Sequence, residues 1–136
     1  MQLDMNYSKQ RELILYEIKK SKCHPTAFEI YNELKPGNPA LSLGTVYRNL
    51  KLLSTENKII KLATPSGPDR FDGNTDEHYH YYCISCSKVC DADDIKASDI
   101  SKIFNNPKQK IVGYELNILC ICEECNKNNI DVSNYK

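Results

Sequence analysis

Four of the seven cysteines stand in two matched pairs, Cys83-Ile84-Ser85-Cys86 and Cys122-Glu123-Glu124-Cys125. Two residues between the sulfurs let both thiolates of one turn point at one ion, and two such turns close a tetrahedral cage. A zinc site with four thiolates is coordinatively complete, so it staples a fold and leaves no open position for chemistry. One structural Zn(II) per chain is therefore expected on Cys83, Cys86, Cys122 and Cys125. The only three histidines are His24, His78 and His80. His78 and His80 lie two apart in the alternating stretch from Glu77 to Cys83, which reads as a strand, so both imidazoles leave from one face.

The elements around these residues divide at about residues 74–77. Residues 1–73 carry 11 Lys+Arg against 8 Asp+Glu, whereas 74–136 carry 7 against 10 and hold every cysteine except Cys23. Composition and charge thus change together, giving a first domain over 1–73, a hinge over 74–77 and a second domain over 78–136. The basic half suits a polyanionic partner, although a difference this small is also ordinary for a solvated surface. At 136 residues the chain has room for one domain of ordinary size or for two small ones that each need help to stay folded, and the break in composition favours two. Hydrophobic residues at 40% and charged residues at 26% describe a globular protein. No apolar run approaches a membrane span. With no basic-then-apolar leader and an odd number of cysteines, the expected location is a reducing cytoplasm.

The first half reads as three helices and a hairpin. Ser8 is expected to cap a helix with Leu13, Ile14, Leu15 and Ile18 at helical spacing, ending near Lys22. Thr26-Ala27-Phe28-Glu29 is a capping box that starts a second helix, with Ile30, Tyr31 and Leu34 on its inner face. After the breaker at 35–39, Ser42 caps a third helix carrying Val46, Leu50 and Leu53. Strands over 58–63 and 70–72 flank a turn-rich tip from Thr64 through Ser66 to Asp69. This order is that of a winged helix-turn-helix, in which the third helix enters the major groove. On that helix Ser42, Thr45, Tyr47, Arg48, Asn49 and Lys51 are either a solvated outer face or a DNA-reading surface: Arg pairs with guanine, Asn with adenine, Thr and Lys with phosphates.

The second half reads as a small α+β unit. After the strand over 77–83 come the first cysteine turn and extended structure at 89–91. A helix is expected from Asp93 to about Phe104, and a long strand over 110–121 leads to the second cysteine pair. The tail from Lys127 is polar and expected to fray. Of the remaining cysteines, Cys23 reads as a small residue at a helix end and Cys90 as inward-facing packing. Cys120 could enter the cage by a register slip, but the CxxC spacing favours Cys122 with Cys125, and all three leave thiol oxidation open. A dithiol oxidoreductase is the alternative of another class, but no βαβ pattern precedes either pair. No turnover is needed by the other readings, so an enzyme is not expected.

His24-Pro25-Thr26-Ala27, Leu43 to Leu50, Arg70-Phe71-Asp72, His78-Tyr79-His80 and the paired CxxC motifs occur in the order found in ferric-uptake-regulator-like repressors. The chain resembles that family over about residues 8–127. The resemblance implies an N-terminal winged-helix DNA-binding domain joined to a C-terminal α+β dimerisation domain, working as a homodimer on a double-stranded DNA operator. It also implies a regulatory metal site between the domains, made here by His24, Asp72, His78, His80 and Asp91. Three imidazoles and two carboxylates suit Fe(II) or Mn(II), whereas zinc favours sulfur. Asp72 stands where iron-responsive relatives usually carry Glu, and the histidines of their additional site are missing at 75–77 and 113–115. Both features resemble the peroxide-responsive branch, PerR-like repressors. There iron-catalysed oxidation by H2O2 converts two ligand histidines to 2-oxo-histidine, which map to His24 and His78. An iron-responsive repressor of metal uptake is the alternative within the family.

Overall fold

The computed structural model describes residues 2–21, 23–65, 67–129 and 132–133, with side chains from residue 7 onward. Lys22 at the expected first-helix end, Ser66 at the hairpin tip, and residues 130, 131 and 134–136 of the tail lie outside the described residues. The chain divides into two compact units, Met1–Thr75 and Asp76–Lys136.

In the first unit, α1 (Gln2–Lys20), α2 (Ala27–Leu34) and α3 (Leu43–Thr55) precede a hairpin of β1 (Ile60–Leu62) and β2 (Arg70–Asp72). Ser8 does not cap α1 but lies within it. No Gly or Pro interrupts 2–20, so helical propagation continues past a residue that merely favours caps. Thr26 does cap α2, its hydroxyl accepting the Glu29 N–H at 3.1 Å. A 3-10 turn over Lys35–Gly37 follows. The Lys35 ammonium then stitches the breaker together by donating to the carbonyls of Pro39 and Leu41. Ile14, Ile18, Ile30, Val46, Leu50 and Leu53 are at most 1% exposed and form one core with Phe71 of β2. Each such side chain contributes about 1.5–3 kcal/mol by leaving water. β1 and β2 pair antiparallel with Ile60 opposite Asp72.

The second unit carries β3 (His80–Cys83), β4 (Val89–Asp91), α4 (Ala97–Ser101), β5 (Ile118–Cys120) and α5 (Glu123–Asn126). Its sheet runs β4-β3-β5. β4 lies antiparallel to β3, with His80 opposite Asp91, and β5 lies parallel, with Cys83 opposite Cys120. Two expectations shrink here. The helix expected over 93–104 is confined to Ala97–Ser101, because Ile103 is 70% exposed and finds no core. The strand expected over 110–121 is confined to Ile118–Cys120. Residues 111–117 have no ladder partner among the described residues, and Val112 is 91% exposed. The β3 strand begins at His80 and not at Glu77, although Ala92 N–H still reaches the Tyr79 carbonyl at 2.8 Å.

Candidate metal centres and nucleic-acid interface

The four sulfurs of Cys83, Cys86, Cys122 and Cys125 lie within 4.8 Å of one another. Cys83 ends β3 and Cys86 closes the following turn, held by Ser87 N–H to the Cys83 carbonyl at 3.0 Å and Cys83 N–H to the Lys88 carbonyl at 2.9 Å. Ser87 takes φ 63°, which turns the backbone around the sulfurs. The second pair is brought up by β5, since Ile84 N–H bonds the Cys120 carbonyl, and Cys122 N–H donates to the Cys83 sulfur at 3.3 Å. Burial resists ionisation of Cys83, but backbone N–H groups of Cys122, Cys86 and Ser85 outweigh it and bring the thiol down to about 6. The Ser85 hydroxyl acts in the same direction on Cys125, yet Cys122 and the other crowded thiols push that group up to about 12. Four sulfurs this close cannot all be thiolates without a cation among them, and a tetrahedral dication with a preference for sulfur fits. Cys120 is half-buried and outside this group, and burial raises its thiol, followed by the charges of Cys83 and Cys122.

The other candidate ligands form one cluster in each unit, described separately. In the first, His24 and Asp72 are 4% exposed, with Nδ1 and Oδ1 3.6 Å apart. His24 lies between α1 and α2 at φ 49°, a left-handed conformation disfavoured for a side-chain-bearing residue. It is held there by Arg70 Nη1 donating to its carbonyl at 3.1 Å and by Phe71 N–H bonding the Pro25 carbonyl at 3.0 Å. Arg70 also reaches Glu29 Oε1 of the capping box at 3.3 Å. Asp72 accepts the Asn74 N–H at 2.9 Å. The intervening Gly73 is required by close approach: a Cβ there would meet Lys19 Cγ at 2.9 Å.

In the second unit the His78 and His80 rings are 4.4 Å apart on one face of the strand region. Their Nε2 atoms approach the same Asp91 oxygen at 3.4 and 3.3 Å. His78 Nδ1 lies 2.6 Å from the Asp76 carbonyl, so it carries the proton and donates. In the neutral ring Nε2 then presents a lone pair toward a carboxylate oxygen, an arrangement that a cation relieves. Asp76 is the supporting residue that sequence reading missed. Its only sequence signal is its place two residues before His78.

On α3 the expected surface splits. Ser42 is the N-cap, accepting the Thr45 N–H at 3.1 Å. Tyr47, Arg48 and Lys51 are exposed, whereas Thr45 and Asn49 are buried at 6% and 5%. The expectation that Asn49 reads adenine and Thr45 holds phosphate is therefore corrected. Asn49 bonds the Thr45 carbonyl at 3.0 Å and accepts from Arg11 Nε of α1 at 3.4 Å, which ties two helices together. Between α3 and the hairpin lies a cleft of about 440 Å³ with Tyr47, Lys51, Lys61 and Phe71 in its walls. Cys90, expected to pack inward, is exposed on β4, and Cys23 is exposed before His24. None of the helices in the described residues is long and apolar enough to cross a membrane.

A family model described as the ferric uptake regulator family matches residues 2–119. The peroxide-responsive repressor PerR of Staphylococcus aureus (strain USA300) is 31% identical over 125 residues, covering 91% of this chain and 84% of its own. Among solved structures, the Helicobacter pylori ferric uptake regulator Fur is similar with a TM-score of 0.72 and 24% identity over 92% of this chain and 89% of that one. The Campylobacter jejuni peroxide stress regulator gives a TM-score of 0.70 and 23% identity over 91% and 94%. The structural likenesses establish a shared fold, and with the matches over most of its length the chain belongs to the ferric uptake regulator family.

Proposed function

We propose that this chain is a metal-dependent, dimeric transcriptional repressor of peroxide-stress genes, regulated by Fe(II) or Mn(II) on His24, Asp72, His78, His80 and Asp91. The observation that carries this reading is the donor chemistry. Imidazole and carboxylate groups gather in the two clusters, and an aspartate, not a glutamate, closes Arg70-Phe71-Asp72. Assignment of all five residues to one ion rests on the family resemblance. The similarity to the Staphylococcus aureus repressor supports the peroxide branch. Exposed Tyr47, Arg48 and Lys51 on α3 are the proposed DNA-facing residues, with Ser42 at its N-cap. The open edge of β5 and exposed Ile111 and Val112 support association of two chains.

Each residue has a definable task. Asp72 orients the buried His24 ring, and the Asp76 carbonyl fixes the tautomer that turns His78 Nε2 toward Asp91. Fe(II), when bound, would activate H2O2 so that one peroxide oxygen enters a ring carbon–hydrogen bond of His24 or His78 and the other leaves as water, the two electrons coming from the imidazole that becomes 2-oxo-histidine. Oxidation of His24 and His78 removes one ligand from each unit and with it the metal's preference for the DNA-binding conformation. Mn(II) would occupy the same residues without that step.

The test is anaerobic loading of the zinc-containing protein with Fe(II) or Mn(II), addition of a small excess of H2O2, and peptide mass spectrometry. Gain of one oxygen on the His24 and His78 peptides with iron alone supports the reading. Unmodified histidines in a protein whose DNA binding still follows metal would make it an iron-responsive repressor instead. In the same assay Asp72→Glu is expected to keep metal-dependent DNA binding and to slow histidine oxidation about tenfold, a change of about 1.4 kcal/mol in barrier. Undiminished oxidation in that variant would remove Asp72 from the argument.

A further inference from the structure

The first turns of α3 contain a chain of side-chain hydrogen bonds. Arg48 Nη2 donates to Thr45 Oγ1 at 2.9 Å, and Thr45 Oγ1 lies 2.9 Å from Ser42 Oγ. A guanidinium only donates, so the threonine oxygen accepts from Arg48, while either hydroxyl can supply the hydrogen between Thr45 and Ser42. Thr45 is buried while Arg48 is exposed. The guanidinium is drawn back over the first turn, where a Cβ on Gly44 would lie 3.5 Å from Arg48 Nη1. A flexible exposed side chain is thus held from beneath by a buried hydroxyl, which takes one of five N–H donors and none of the charge.

We propose that Thr45 is a positioning residue for sequence readout: its hydroxyl fixes the Arg48 fork so that the remaining donors meet O6 and N7 of one guanine. This rests on the reading that α3 enters the major groove. Arginine paired bidentately with guanine is a strong base-discriminating contact, and a preset fork loses less freedom on binding. A guanidinium released from Thr45 would sample neighbouring phosphates, which carry no sequence information. Thr45 would therefore set specificity while touching no DNA.

The experiment uses the full zinc-containing chain loaded with Mn(II), a randomised pool of duplex DNA, and sequencing of the bound fraction. Wild type, Arg48→Ala, Thr45→Val and Thr45→Ser are compared, with the thermal midpoint of each. Arg48→Ala is expected to abolish preference for guanine at one position of the enriched site. Thr45→Val should weaken preference at that same position about fivefold, and Thr45→Ser should retain it within about twofold. The inference is overturned if Thr45→Val keeps the Arg48-dependent preference, or if preference falls evenly at all positions together with the midpoint. If Arg48→Ala leaves every preference intact, Arg48 is not the reader and the inference also fails. A wild-type protein that enriches no sequence would instead overturn the DNA-binding reading itself, and the inference with it.

Discussion

The two units of this chain are stabilised in different ways. Met1–Thr75 closes three helices over a core in which Ile14, Ile30 and Val46 are fully buried, and β2 adds Phe71 to it. Among its described residues, Asp76–Lys136 buries little apolar surface beyond Tyr79, Tyr82, Cys83, Val89 and Ala92. The four-sulfur cage is where its β3 turn and the segment after β5 meet. A unit of this size with so small a core needs a staple. The difference teaches that one chain can draw its order from apolar burial in one half while the other half gathers four sulfurs suited to a metal.

Removing zinc should break the comparison most visibly. A chelator, or Cys122→Ser, is expected to cost the second unit about 10 kcal/mol of apparent stability and to melt its sheet while the helices of the first unit persist. Zinc analysis should find one tightly held ion per chain and no reactive thiols at the four positions. Backbone NMR spectra of the stripped protein will show whether only residues beyond 76 lose dispersion; simultaneous loss of both halves would contradict two separate sources of stability. A smaller effect, about 3 kcal/mol, is expected for Leu50→Ala, because a side chain 1% exposed leaves a cavity in the first unit. Denaturant titration should register it in helical circular dichroism without altering zinc affinity. Smallest is Thr26→Ala, which removes the hydroxyl cap of α2 at about 1 kcal/mol. A midpoint shift confined to the first unit would sharpen the contrast.

How much was legible in the sequence follows the same divide between local chemistry and packing. The CxxC pairs were readable because two-residue spacing alone sets sulfurs for one ion, and the four sulfurs do converge. Pairing of His78 and His80 was readable because strand geometry has period two, and their rings do share a face. The Thr26 cap of α2 was readable as a local motif, and its hydroxyl does take the Glu29 amide, while the Glu29 carboxylate meets that hydroxyl and Arg70. Asn49 defeats a polar-outside reading because the buried stripe of α3 is wider than its apolar positions Val46, Leu50 and Leu53. Extending that stripe to positions 45 and 49 matches the wider face a core helix buries. The segment over 110–121 was misread because apolar alternation says nothing about whether a neighbouring strand exists. Cys90 was misread for a related reason, since alternation along β4 does not say which face is covered. The carbonyl of Asp76 beside His78 left no compositional trace at all.

Arg70 joins the carbonyl of His24 to the capping carboxylate of Glu29, and the following amide of Phe71 is bonded to Pro25. A connecting segment tied in this way has no private clock. The Phe71 amide should exchange its hydrogen with solvent only in openings that also release the start of α2 and the edge of the hairpin. If His24 is a ligand as proposed, it would meet an ion with its backbone already ordered, and little of the binding energy would be consumed in arresting motion there.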